Sequence, residues 1–150
     1  MRMEDSLQQK QIAIHLFSKQ DLQLLIEGVK RGDREATSRA IDFLTVESFG
    51  LWHNRARAKL CRYFKNHPPA RVEQERIVDA VVGRLLDGRF SEQFKDQLAM
   101  AIRLSPDRLH ETAMRALGSN KDYIRRYGGW VRKALSRPTD LNAHRDSNLE

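Results

Sequence analysis

Few residues of this 150-residue chain have a type and spacing that could do chemistry. Cys61 lies one helical turn from Arg57 and Lys65, and neighbouring cations favour a thiolate. No histidine or acid pairs with it at helical spacing, so it reads as a packed, inert cysteine. Asp107, His110 and Glu111 fall close together on one helix and carry oxygen and imidazole donors. No second element supplies the further ligands that a metal site needs. His53 and His67 have no ligand spacing between them. The chain lacks a phosphate-binding glycine loop, a His-Glu-x-x-His pair and a Gly-x-Ser-x-Gly elbow. These observations point away from an enzyme, a metal centre and a small-molecule cofactor.

Charge says more. The formal net charge is +7, and it is concentrated. Residues 51–71 hold six basic side chains and no acid, and residues 121–137 hold six against Asp122 alone. The rest of the chain is net acidic, whereas a merely soluble surface would intersperse the signs. Read as a helix at about 100° per residue, 51–67 puts Trp52, Ala56, Leu60, Tyr63 and Phe64 on one arc. Arg55, Lys59, Arg62 and Asn66 fall on the other, and Arg57 lies at the edge of the apolar arc. The second segment has an apolar arc of Tyr123, Ile124, Tyr127, Trp130, Val131, Ala134 and Leu135. Its exposed arc holds Arg125 and Arg132 on one side, with Arg126, Lys133 and Arg137 on the other, and Gly129 leaves a gap between them. Arginine predominates, and its planar fork suits phosphate. The residues expected to meet an acidic partner are therefore Arg55, Lys59, Arg62, Arg125, Arg126, Arg132 and Lys133. Trp52 and Trp130 belong to the apolar arcs and are expected to pack in the core. Gly128 is expected to mark close helix packing.

The elements that carry these arcs are helices. Helix formers dominate, Pro and Gly are sparse, and no strand-like alternation occurs, so the fold class is all-α. Ser6 and Gln9 have capping-box spacing for a helix over 6–17. Ser18 with Asp21 opens a clearer one, followed by Leu22, Leu25, Ile26 and Val29 and closed by Gly32. Asp33 caps a helix over about 34–47. Helix 51–66 ends at Pro68-Pro69, and a wide apolar arc (Ile77, Val78, Val81, Val82, Leu85, Leu86) fills 72–87 before Gly88. Ser91 is expected to cap 91–104. Ser105-Pro106 starts the next helix, and Ser119 or Asn120 is expected to cap 121–136. Leu60, Phe64, Ile77, Val81, Leu98, Ile102, Leu117 and Trp130 are the expected core. Residues 1–137 read as one domain and 138–150 as a flexible tail. The N-terminus has no signal-peptide core and no run of about 18 apolar residues occurs, so a cytoplasmic protein with no membrane partner is expected.

Three helix pairs stand in series, roughly 34–67, 71–105 and 106–137, and the second helix of each runs into a proline: Pro68, Pro106 or Pro138. Periods in the thirties mark an α-solenoid, whose units bury their faces against neighbours; the alternative is an irregular helical bundle with prolines at its helix ends by chance. Pro106-Asp-Arg-Leu109, Ala113, Ala116-Leu117 and then Lys121-Asp-Tyr-Ile-Arg125 resemble a HEAT repeat. Ile124-Arg125 stands for that family's Val-Arg pair, although Lys121 occupies the usual Asp position and Asp122 is displaced by one. The resemblance covers 106–136 and implies a right-handed stack of six to seven antiparallel helices with the second helices lining a concave face. It implies interaction rather than catalysis. The partner is then nucleic acid, DNA or RNA, bound through phosphate without sequence preference. The alternative is an acidic protein or peptide held by a scaffold.

Overall fold

The structure, a computed structural model, describes Gln8, Gln9 and residues 12–137. Every regular element among the described residues is helical. After a helical segment at 12–15 come α1 (Lys19–Lys30), α2 (Arg34–Thr45), α3 (Leu51–Asn66), α4 (Arg71–Asp87), α5 (Phe94–Leu104), α6 (Pro106–Leu117) and α7 (Asp122–Leu135). Ser6 of the expected first cap and the expected 138–150 tail lie outside the described residues.

Local signals fix most helix ends. Ser18 Oγ accepts from the Asp21 amide at 3.1 Å, and Asp21 Oδ2 accepts from the Ser18 amide at 2.8 Å. These bonds favour the ionised carboxylate and pull the Asp21 pKa below its ordinary value. Asp33 Oδ1 accepts from Glu35 and Ala36 at the start of α2. Gly88 closes α4 in the left-handed region, at φ 72°, which glycine adopts without steric cost.

Two caps differ from expectation. α5 begins at Phe94 rather than Ser91, after Gln93 takes φ 65°. The Ser91 hydroxyl is occupied elsewhere, accepting from the Gln97 side chain at 3.1 Å. Before α7 the capping position belongs to Lys121, and Ser119 Oγ accepts from the Lys121 amide instead of from the first helical turn.

Buried apolar side chains from Ile14 to Val131 join in one continuous core. α1 packs on α2 and α3; α2 packs on α4, and α4 on α6. α3 packs on α5, α5 lightly on α7, and α6 and α7 share the broadest contact. That last contact depends on Gly128, where a Cβ would stand 2.9 Å from Ala116 Cβ and 3.2 Å from the Ala113 carbonyl oxygen. Leu60, Phe64, Ile77, Val81, Leu98 and Ile102 are buried. Leu117 and Trp130 are only partly so, because both line a cleft described below. Trp52, expected in the core, is 40% exposed.

Among the described residues two arginines lie inside. Arg57, read as an edge residue, is 3% exposed. It donates to the Ser48 carbonyl at 2.9 Å, to Ser48 Oγ at 2.8 Å and to Asn54 at 3.1 Å. His53, also buried, pairs with Ser48 Oγ and donates through Nε2 to the Phe17 carbonyl. Burial, and then the nearby Arg84 charge, lower the Arg57 pKa to about 10. Arg84 is equally buried and donates to Glu47 at 2.8 Å, to Gln97 at 2.9 Å and to the Leu44 carbonyl at 2.6 Å. It thereby ties the end of α2 to α4 and the start of α5.

Candidate functional site

α7 sets out its side chains by helical spacing. Ile124, Gly128 and Val131 are buried against the core. Tyr123, Tyr127 and Trp130 follow one flank, while Arg126, Arg132 and Lys133 point outward. Between this helix, Lys95 of α5 and Leu117 of α6 lies a cleft of about 800 Å³. Four cations line it, Lys95, Arg126, Arg132 and Lys133, with no acid among its lining residues. Like charges gathered around a concave surface raise its potential and draw anions to it.

The aromatic wall is braced from behind. Tyr127 sits 4.5 Å from Phe90 and 5.4 Å from Phe94, ring centre to ring centre, the latter edge to face. Tyr123 meets Phe90 at 5.9 Å. Lys95 Nζ is 5.7 Å from the centre of the Trp130 ring, within cation–π range. At Gly129, a Cβ would find no atom within 4 Å, so the helix leaves open space beside the rings.

A smaller hollow lies between α1 and α3, lined by Lys19, Leu22, Ile26, Trp52, Arg55 and Lys59 among others. Lys19 Nζ stands 4.1 Å from the Trp52 ring centre and the Arg55 guanidinium 5.1 Å from it. Both tryptophans thus carry a cation at a ring that sequence reasoning assigned to the core.

The seven basic residues expected to meet a partner divide into two groups. Arg55, Lys59, Arg126, Arg132 and Lys133 are exposed and have no acidic partner among the described residues. Arg62 is held by Asp96 of α5 at 2.9 Å. Arg125 turns back, donating to the Ser119 carbonyl at 2.7 Å and to Asp122. Its side chain braces the α6–α7 turn. The Arg62–Asp96 pair has a second effect. Arg62 of α3 occupies the Asp96 carboxylate, so Lys95, beside it in sequence, has no acidic partner among the described residues at the cleft.

The chain matches no known family model, no curated protein and no solved structure. Its chemistry is therefore read from its own side chains. Cys61 is buried, and burial pushes its thiol up to about 12 against the pull of Arg84 and Arg57. At neutral pH it is protonated and shielded, the opposite of a nucleophile's environment. Asp107, His110 and Glu111 are exposed, and no metal-holding group of three His, Cys, Asp or Glu side chains occurs among the described residues. No helix among them is long and apolar enough to cross a membrane. A further hollow of about 510 Å³ by the α2–α3 loop is lined by Arg57, Arg84, Arg89 and Glu47. Glu47 accepts from Arg84 and Arg89 there.

Proposed function

We propose that this chain is a non-catalytic helical-repeat module that binds an acidic macromolecule, nucleic-acid phosphate first, through the surface formed by α3, α5 and α7. The observation that carries the reading is the cleft between α5 and α7, with four cations, three aromatic rings and, among the described residues, no acid. An acidic peptide would answer the cations through its carboxylates, but only apolar side chains of its own would use the rings of Trp130, Tyr127 and Tyr123. Nucleic acid answers both, through phosphate and base.

The order of helix contacts supports the repeat reading and the HEAT-like resemblance of 106–136. α2, α4 and α6 touch in succession, as do α3, α5 and α7. That is the succession expected of a stack of the pairs 34–67, 71–105 and 106–137. In such a stack Arg55 and Lys59 of α3 would share a face with the α7 cations, so a long strand would meet both groups.

Fluorescence polarisation against single-stranded DNA, RNA, duplex DNA and polyglutamate of matched charge tests the proposal. Nucleic acid should bind more tightly than polyglutamate, with affinity falling as salt rises, since each neutralised phosphate releases condensed counterions. Affinity for every nucleic acid weaker than about 100 μM at about 50 mM salt, below ordinary non-specific binding, rejects phosphate as the ligand. Binding of polyglutamate alone would favour an acidic protein as the partner.

A further inference from the structure

We infer that the cleft between α5 and α7 receives an unpaired base, so that the module selects single-stranded nucleic acid over duplex. This rests on the nucleic-acid reading and deepens it. Three independent features of the cleft point the same way.

The first is the pairing of ring faces with cations. In a duplex the base faces are consumed by stacking, and only edges and phosphates are presented. A wall of Trp130, Tyr127 and Tyr123 would then offer a duplex nothing that the cations alone do not. A single strand presents both faces of each base, and stacking on an aromatic side chain is sequence-tolerant. The second is shape. About 800 Å³ falls within the roughly 300–1,000 Å³ of pockets that enclose small organic ligands, and a convex duplex would span such a hollow rather than fill it.

The third is Gly129. A glycine inside a helix costs about 1 kcal/mol relative to alanine. Gly128 has a packing reason for that cost, the approach of Ala116, but Gly129 has none, because a Cβ there meets nothing within 4 Å. It lines the cleft beside Trp130, where a side chain would intrude on a stacked base. Lys95, now over the Trp130 ring at 5.7 Å, has a flexible stem. On binding it moves to the adjacent phosphate and the base takes its place on the ring.

The chain has two tryptophans, so in a Trp52→Phe background Trp130 is the sole indole reporter, and all comparisons are made in that background. Oligodeoxythymidylate should quench Trp130 emission saturably and bind at least about tenfold tighter than duplex of the same length. Inorganic polyphosphate should bind without that quenching. Trp130→Ala should weaken single-strand binding by about five- to hundredfold, the loss of one base–aromatic stack, with duplex affinity unchanged and Trp130→Phe retaining most of the binding. Because Trp130 is partly buried, Gly129→Gln provides a control that no folding defect can mimic. It should be at least as stable as its parent yet lose single-strand preference. Equal affinity for single strand and duplex with unchanged Trp130 emission would overturn the inference and leave the phosphate reading intact. The same quenching by polyphosphate would also overturn it, and binding to no nucleic acid would overturn both.

Discussion

Arg125 and Arg126 are neighbours in sequence and carry the same charge, yet their surroundings predict opposite duties. Arg126 stands on the rim of the cleft without an acidic partner among the described residues, whereas Arg125 is spent on Ser119 and Asp122. Replacing each in turn with Gln separates the two. If Lys95, Arg126, Arg132 and Lys133 each meet one phosphate, the slope of log K against log salt on a single strand too short to reach α3 should be about −2.8, from about −0.7 per contact. Raising salt from about 50 to about 200 mM would then weaken binding about 50-fold. Without Arg126 the slope should be about −2.1 and the loss only about 20-fold. Arg125→Gln should leave the slope alone and cost about 1 kcal/mol of stability, a charge-assisted hydrogen bond discounted for its exposure. Polarisation across a salt series and urea melts measure both quantities on the same samples. Equal falls in slope for the two variants, or none for Arg126→Gln, would refute this division of labour.

Gly128→Ala should destabilise the protein by about 1–3 kcal/mol, since its Cβ would crowd Ala116 and the Ala113 carbonyl in an already packed contact. Gly129→Ala should stabilise it by up to about 1 kcal/mol, and urea titration distinguishes the two signs. Arg84→Met should cost about 2–4 kcal/mol by stranding the acceptors on Gln97 and Leu44, and adding Gln97→Met should recover part of that loss in a double-mutant cycle. The Cys61 thiol should resist a disulfide reagent at pH 8 in the native state and react on unfolding. Its pKa is raised from 9.0 to about 12 by burial, so the unfolded chain releases this proton first. The corresponding share of stability should fall as pH rises above about 9, and Cys61→Ala should lack that component of the alkaline melt.

Helix positions were legible because apolar spacing and punctuating residues agree. Gly88 and Pro106 mark observed ends, and α3 runs from Leu51 to Asn66, as its arcs predict. The caps at Ser91 and Ser119 were misread because a serine before a helix signals a free hydroxyl. Whether the hydroxyl is free depends on residues such as Gln97 that approach from elsewhere. Burial of Arg57 and Arg84 was not legible. An arginine defaults to the surface because desolvating it is costly, and the acceptors that offset the cost for Arg84 lie 37 to 40 residues away, in Glu47 and Leu44. The same blindness hid the cleft. Periodicity assigned Trp52 and Trp130 to apolar arcs, but the edge of an arc faces core or groove according to where the next helix stops.

Arg84 also governs how the molecule can come apart. Its bonds to Glu47, Leu44 and Gln97 require the end of α2, the end of α4 and the start of α5 to be in place together. Peeling any one of these away leaves a guanidinium in a medium that solvates it poorly, so the first opening already bears much of the cost of complete opening. A chain of helix pairs joined only by oily faces can fray one pair at a time. Here the bonds of Arg84 predict that the middle of the protein opens as a single cooperative block. The α6–α7 pair lies outside that block and is held to α4 and α5 by apolar and aromatic packing through both of its helices, and the cleft runs along its seam with α5.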